Sequence, residues 1–277
     1  MWSSHGRRIA ALTVIGTAIV LPLVIFVLGP NMPPGKATQV AKGQVVDNTV
    51  LLVVMTPFTV FILVYLVYAV VAFKVPKGET ELRDGAPIRG HMPSQIAWLV
   101  TTTAAVLFLA IFGTTELLAN NGAGSGSGPN PVSKPSGPIL PVQVIGQQWE
   151  FTFRYPTYGG VETAQLVLPV GEEVAFHVTS LDVVHSFWAY ELGVKADANP
   201  GIDNIAYVKP AKVGTFQIRC AELCGLWHGY MFDTGRIVST SDFATWIAGQ
   251  RKQFSGVQQY LPKYSPSYSP DPPFRAG

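Results

Sequence analysis

Charge is scarce in this sequence. Of 277 residues only 13% are Asp, Glu, Lys or Arg, and the formal net charge is +2. Soluble domains carry roughly 25% charged residues, so the composition argues against an ordinary soluble protein. The near-neutral balance is too small to argue for a nucleic-acid or anionic-surface partner. Cysteine is nearly absent. Its two thiols, Cys220 and Cys224, are too few for a disulfide scaffold, and no Cys-x2-Cys-His run is present, so no c-type haem is fused to the chain.

What is abundant is apolar surface, at 48% of residues. Three runs, 9–28, 49–73 and 96–118, hold almost no charge and are each long enough for a helix to cross about 30 Å of hydrocarbon. Arg7 and Arg8 precede the first run, and Lys74, Lys77, Arg83 and Arg89 fill the stretch between the second and third. Positive-inside counting puts both stretches in the cytoplasm and everything after Leu118 outside. The first run has the basic start of a signal peptide but no small-x-small site directly after it, so it reads as a retained helix. Pro22 and Pro57 interrupt helical stretches, which membrane helices tolerate where neighbours satisfy the freed carbonyls.

A Gly/Ser/Pro tract at 120–138 cannot form a packed core and marks a domain boundary. Beyond it the hydrophobic period becomes two: Trp149, Phe151, Phe153 and Tyr155 alternate with polar residues across 147–155, as in a half-buried strand. Further β-runs lie at 165–170, 173–179, 183–188, 204–209, 215–220 and 236–239, divided by Gly and Pro turns. About seven short strands suggest a sandwich or barrel, so 139–254 reads as one β domain. Ser241 is placed to cap a short helix with Phe243, Trp246 and Ile247 on one face. The tail, 255–277, is rich in Pro, Ser and Tyr and poor in core-forming residues. His177, between Phe176 and Val178, is expected to face solvent, and His5 and His91 to sit at membrane interfaces.

The chemistry concentrates in Cys220-Ala-Glu222-Leu-Cys224-Gly-Leu-Trp-His228-Gly-Tyr-Met231, with a second imidazole upstream in Asp182-Val-Val-His185. Thiolates, imidazoles and a thioether form a soft donor set that selects copper. A single-copper site leaves one Cys over. Tetrahedral zinc on His185, Cys220, Cys224 and His228 leaves Met231 without a role. Two coppers bridged by both sulfurs use every member. In an exported domain a Cys-x3-Cys pair also makes a disulfide, and a thioredoxin-like copper chaperone carries the same pair, though with its His far downstream on a βαβ scaffold.

This constellation, a distant His followed by Cys-x-Glu-x-Cys-x3-His-x2-Met, resembles the copper-binding motif of cytochrome c oxidase subunit II. The resemblance extends over Leu192–Gly201 and Gly146-Gln-Gln-Trp149 and covers roughly residues 50–250. It implies a membrane-anchored α+β protein: two to three transmembrane helices, then a cupredoxin-like Greek-key β-barrel. It implies a binuclear CuA centre with His185, Cys220, Cys224, His228 and Met231 as side-chain ligands and Glu222 as a carbonyl ligand. Trp149 becomes the point where electrons enter, and Trp227 a shield over the metal. The carboxylate of Glu222, with Asp197, is implied in a magnesium or manganese site against subunit I.

The function so implied is electron acceptance from cytochrome c and delivery to the haems of subunit I, where oxygen is reduced with proton translocation. The chain then acts with further oxidase subunits in an energy-transducing, bacterial plasma membrane, its copper domain outside. A CuA-bearing nitric oxide reductase subunit and a membrane-anchored copper chaperone are the alternatives. The chain departs from many relatives in having Glu150-Phe151 after Trp149, few acidic residues nearby and Gln95 three residues before Trp98. A membrane-tethered cytochrome donor fits the first two departures. A neutral amide cannot exchange protons, so the third moves proton uptake elsewhere.

Overall fold

The computed structural model describes residues 4–75, 78, 90–119, 134–258 and 260. Its chain forms two compact units, Met1–Met32 with Val45–Glu116 and Pro33–Gln44 with Leu117–Gly277.

The first unit is helical. Helix α1 (Ser4–Leu23) runs into a wider π turn at Val24–Leu28, directly after Pro22 removes a backbone donor. Helices α2 (Gln39–Ala72) and α3 (Met92–Ala119) follow. All three helical stretches are long and apolar enough to cross a membrane. Residues such as Phe26, Val71 and Leu99 turn bare hydrocarbon outward, which is stable against lipid and not against water. Some hydroxyls inside the spans bond back to the preceding turn, as Thr13 does to Ile9 and Thr56 to Leu52, which satisfies them without water. Helices α2 and α3 are longer than their apolar runs. Helix α2 starts ahead of its run because Thr38 caps it, accepting the Ala41 N–H at 3.0 Å. Lys77, Arg83, Arg89 and most of the 120–138 tract lie outside the described residues, as does the tail apart from 255–258 and Tyr260.

The second unit contains two five-stranded sheets. The strands are β1 (Ile139–Gln147), β2 (Glu150–Tyr155), β3 (Val161–Thr163), β4 (Val167–Pro169) and β5 (Glu173–Ser180). They continue with β6 (His185–Ala189), β7 (Val194–Ala198), β8 (Asn204–Val208), β9 (Gly214–Cys220) and β10 (Phe232–Val238). One sheet has the order β3-β2-β1-β5-β8 and the other β4-β10-β9-β6-β7. Strands β1 and β5, and β4 and β10, pair in parallel, and the remaining pairs are antiparallel.

Between the sheets Phe187 is the hub. Its ring meets Phe176 at 5.2 Å, Phe151 at 5.7 Å and Phe153 at 6.3 Å, all four rings being buried. Each such aromatic pair adds about 0.5–1.5 kcal/mol beyond the area it buries. Pro33–Gln44 is stitched to the strand layer by Ala37 N–H to the Glu191 carbonyl, Thr38 Oγ1 to the Leu192 carbonyl and Gln44 Nε2 to the Gly193 carbonyl.

Several expectations are corrected. The single strand expected over 147–155 is two: β1 ends at Gln147, and Gln148 and Trp149 form the turn before β2. Strand β1 left no period-two trace because its interior is buried on both faces. His177 does not face solvent. It is fully buried, with Nδ1 2.9 Å from the buried Asp203 carboxylate, because β5 too is covered on both faces. The cap of α4 (Thr240–Gln253) is Ser239 and not Ser241: Ser239 Oγ accepts the Asp242 N–H at 3.1 Å. Phe243 and Ile247 of that helix are buried, and Trp246 stacks edge-on against Tyr155 at 5.4 Å.

Candidate metal centre

The centre sits where the β6–β9–β10 ladder runs out. Strand β9 delivers Cys220 at its last position, opposite Phe187 of β6, so His185 at the head of β6 lies beside the cysteine loop. The loop is fastened at both ends. Ala221 N–H donates to the Ser186 carbonyl at 2.9 Å, and Cys220 N–H to the Met231 carbonyl at 3.0 Å. A short 3₁₀ turn at His228–Tyr230 folds the imidazole and the thioether back toward the sulfurs.

The donor atoms converge. Cys220 Sγ lies 3.7 Å from Cys224 Sγ, and the two thiols are free. Cys220 Sγ has His185 Nδ1 at 3.9 Å and the Glu222 carbonyl at 3.2 Å. Cys224 Sγ has His228 Nδ1 at 3.5 Å and Met231 Sδ at 3.8 Å. Each sulfur is thus flanked by one imidazole and one weaker donor. The ligating atoms of His185, Cys220 and Cys224 all lie within 4.8 Å of one another, and all three residues are buried. Burial, and then the neighbouring Cys220 sulfur, push the Cys224 thiol up to about 12. Two adjacent buried sulfurs resist ionising together unless a cation supplies opposite charge, and a coordinating thiol gives up its proton outright.

Two glycines permit the packing. A Cβ on Gly146 would stand 3.0 Å from His185 Cδ2, so only a bare strand lets the imidazole lie against β1. Gly225 has φ +118°, and a Cβ there would meet Gln148 Nε2 at 2.9 Å.

Around the donors, the Gln148–Trp149 turn grips the cysteine loop. Gln148 Nε2 and Trp149 Nε1 both donate to the Cys224 carbonyl, at 2.8 and 3.2 Å. Asp182 accepts from His185 Nε2 at 2.9 Å through Oδ1 and from the Gln148 N–H at 2.7 Å through Oδ2. Burial pushes the Asp182 carboxyl up, but the bonds from His185, Gln148 and Val183 outweigh it and hold the carboxyl below its usual range. Neither Asp182 nor Gln148 was assigned a role from sequence, although a carboxylate three residues before a ligand-type histidine is a usable signal.

The other expected site residues stand apart from this cluster. The Glu222 side chain is exposed, and Asp197 accepts from Ser186 Oγ at 2.7 Å and Lys195 Nζ at 3.2 Å. Among the described residues these two carboxylates form no metal-type group with a third ligand. Trp227 is 47% exposed and stacks edge-on against Tyr230, so it covers the loop only partly. His5 contacts Tyr68 Oη at 2.8 Å, and His91 contacts Ser94 Oγ at 2.7 Å.

Fold and site together define a class: membrane-anchored proteins with a cupredoxin-like domain whose rim carries a copper-type sulfur and imidazole cluster. The family described as Cytochrome C oxidase subunit II, periplasmic domain, matches residues 161–238. Cytochrome c oxidase subunit 2 of Thermostichus vulcanus is 27% identical across 86% of this chain and 84% of its own. The probable cytochrome c oxidase subunit 2 of Rickettsia bellii is 33% identical across 41% of this chain and 50% of its own. The crystal structure of the periplasmic domain of subunit II of cytochrome oxidase from Bradyrhizobium japonicum is 33% identical, covering 43% of this chain and 98% of that one, with a TM-score of 0.42. Along most of its length the chain is thus similar to cytochrome c oxidase subunit 2, and its β domain to the periplasmic domain of that family. The three long apolar helices and the match to a periplasmic-domain family support a membrane protein with an extracytoplasmic β domain.

Proposed function

We propose that this chain is the electron-accepting subunit of a respiratory cytochrome c oxidase. In this reading it takes electrons from cytochrome c at a binuclear copper centre and passes them to the haems of subunit I, where oxygen is reduced with proton translocation. One observation carries the reading: two unbridged thiols 3.7 Å apart, each with its own imidazole and its own weak donor. Four-coordinate zinc would leave the Met231 thioether and the Glu222 carbonyl idle, whereas a pair of coppers would give every one of these donors a role.

Copper, when bound, supplies a one-electron couple at this site. The residues supply the rest. His185, Cys220, Cys224 and Met231 are buried, so water is kept from the sulfurs, and the ladder beneath them holds the donors in one geometry through each change of charge. Trp149, half-buried, carries its indole N–H to the carbonyl of Cys224, so the proposed route inward passes from ring to ligand peptide through one hydrogen bond. Glu222 contributes its carbonyl beside Cys220, leaving its exposed carboxylate for a hard cation such as magnesium or manganese at the contact with subunit I.

The test is the copper content and electron paramagnetic spectrum of the purified chain. Two coppers per chain sharing one electron are expected, with the shared-electron spectrum and cytochrome oxidation both lost in Cys220→Ser. One metal ion per chain, or a Cys220–Cys224 disulfide in the native protein, would overturn the reading.

A further inference from the structure

A histidine can bind metal through either nitrogen, and the choice is made by whatever holds the other one. Here that choice is built into a loop outside the donor set. His185 is fully buried at the head of β6, with Nδ1 turned to Cys220 and Nε2 turned to Asp182. Asp182 is itself fixed. Its Oδ1 accepts from the Val183 N–H at 2.6 Å, and its own N–H donates to Ser180 Oγ at 3.2 Å, so the carboxylate cannot swing away without undoing the turn that leads into β6.

The same carboxylate reaches a second element. Through Oδ2 it takes the Gln148 N–H, and from that turn the Gln148 amide and the Trp149 indole both close on the Cys224 carbonyl. Residues of three separate segments, 146–149, 180–185 and 220–225, are thereby tied without any metal taking part. Loss of Asp182 would release both ties at once, one to an imidazole donor and one to the peptide of a sulfur donor.

We propose that Asp182 is a positioning residue for the metal centre: Oδ1 keeps the His185 proton on Nε2, presenting Nδ1 to the paired sulfurs, while Oδ2 docks the turn that grips Cys224. The proposal rests on the copper reading only for what His185 Nδ1 is presented to. Its geometric half belongs to the metal-free protein and is tested there.

In the metal-free full-length chain, labelled with ¹⁵N-histidine in detergent and assigned by loss of the signal in His185→Gln, the His185 proton is expected on Nε2. A proton on Nδ1, or a mixture of the two forms, overturns the proposal without any Asp182 variant being needed. In Asp182→Ala the two forms mix, and the Gln148 amide exchanges its hydrogen at least tenfold faster. On titration with copper alone the affinity falls by about 10–100-fold, the usual consequence of removing a partner behind a metal-binding histidine. An unchanged tautomer and unchanged Gln148 exchange in a folded Asp182→Ala chain would equally overturn it. If the wild-type chain gives the stated tautomer and protection but never takes up a copper pair, the functional reading fails and the positioning role stands.

Discussion

Replacing Gly225 by alanine strains a point where the cysteine loop lies against the Gln148–Trp149 turn through a bare backbone. With φ at +118°, the position lies where L-residues are strained by about 1–3 kcal/mol. The new methyl would also stand 2.9 Å from Gln148 Nε2, and moving that amide sacrifices its bond to the Cys224 carbonyl, worth about 1 kcal/mol net. The sum is about 2–4 kcal/mol, which for a domain of this size lowers the midpoint by about 8–16 °C at roughly 4 °C per kcal/mol. Thermal unfolding of the metal-free full chain, followed by tryptophan fluorescence, reads this directly. The collision is separable from the strain. In a Gln148→Ala background the obstructing amide is gone, so Gly225→Ala should there cost about 1 kcal/mol less, a coupling that a double-mutant cycle measures. A midpoint lowered by less than about 2 °C, or equal effects in the two backgrounds, would refute the reasoning.

Phe187→Ala removes the ring that joins three others between the sheets and should destabilise the β domain by about 3–5 kcal/mol, visible as a lowered thermal midpoint with intact helical signal. The Ser186 hydroxyl holds Asp197 below the usual carboxylate range, with Lys195 helping against partial burial. A depressed carboxylate contributes stability that is fully present above its unfolded value, about pH 4, and is lost as pH falls through the lower folded value. Asp197→Asn should therefore flatten the acid limb of the stability profile below about pH 4 and leave its slope near pH 7 unchanged. Glu222→Gln should retain copper while the assembled complex loses magnesium or manganese, and unchanged content of both metals on elemental analysis would reject the assignment.

What sequence disclosed depended on how each residue is covered. The three apolar runs and the alternating Phe151, Phe153 and Tyr155 were legible because one environment dominates each pattern. The cluster from Cys220 to Met231 was legible as a soft donor set because its spacing is compact, whereas His185 lies far upstream and meets it through the pairing of β6 with β9. Strand β1 was missed and His177 misread for a shared reason: both lie where the sheet is covered on its two faces, and period-two reasoning assumes a wet side. The Gln148–Trp149 turn was hidden by continuous alternation across it. Asp182 shows only its place three residues before His185, and its second partner, Gln148, is distant in sequence and meets it only in the folded chain.

Phe187 of β6 faces Cys220 of β9, and Arg219 of β9 faces Phe232 of β10. A slip of a single residue between β6 and β9 would turn every side chain of the slipped strand to the opposite face, sending His185 away from the thiols. Only a correctly registered sheet then brings His185 and the two thiols together at one rim.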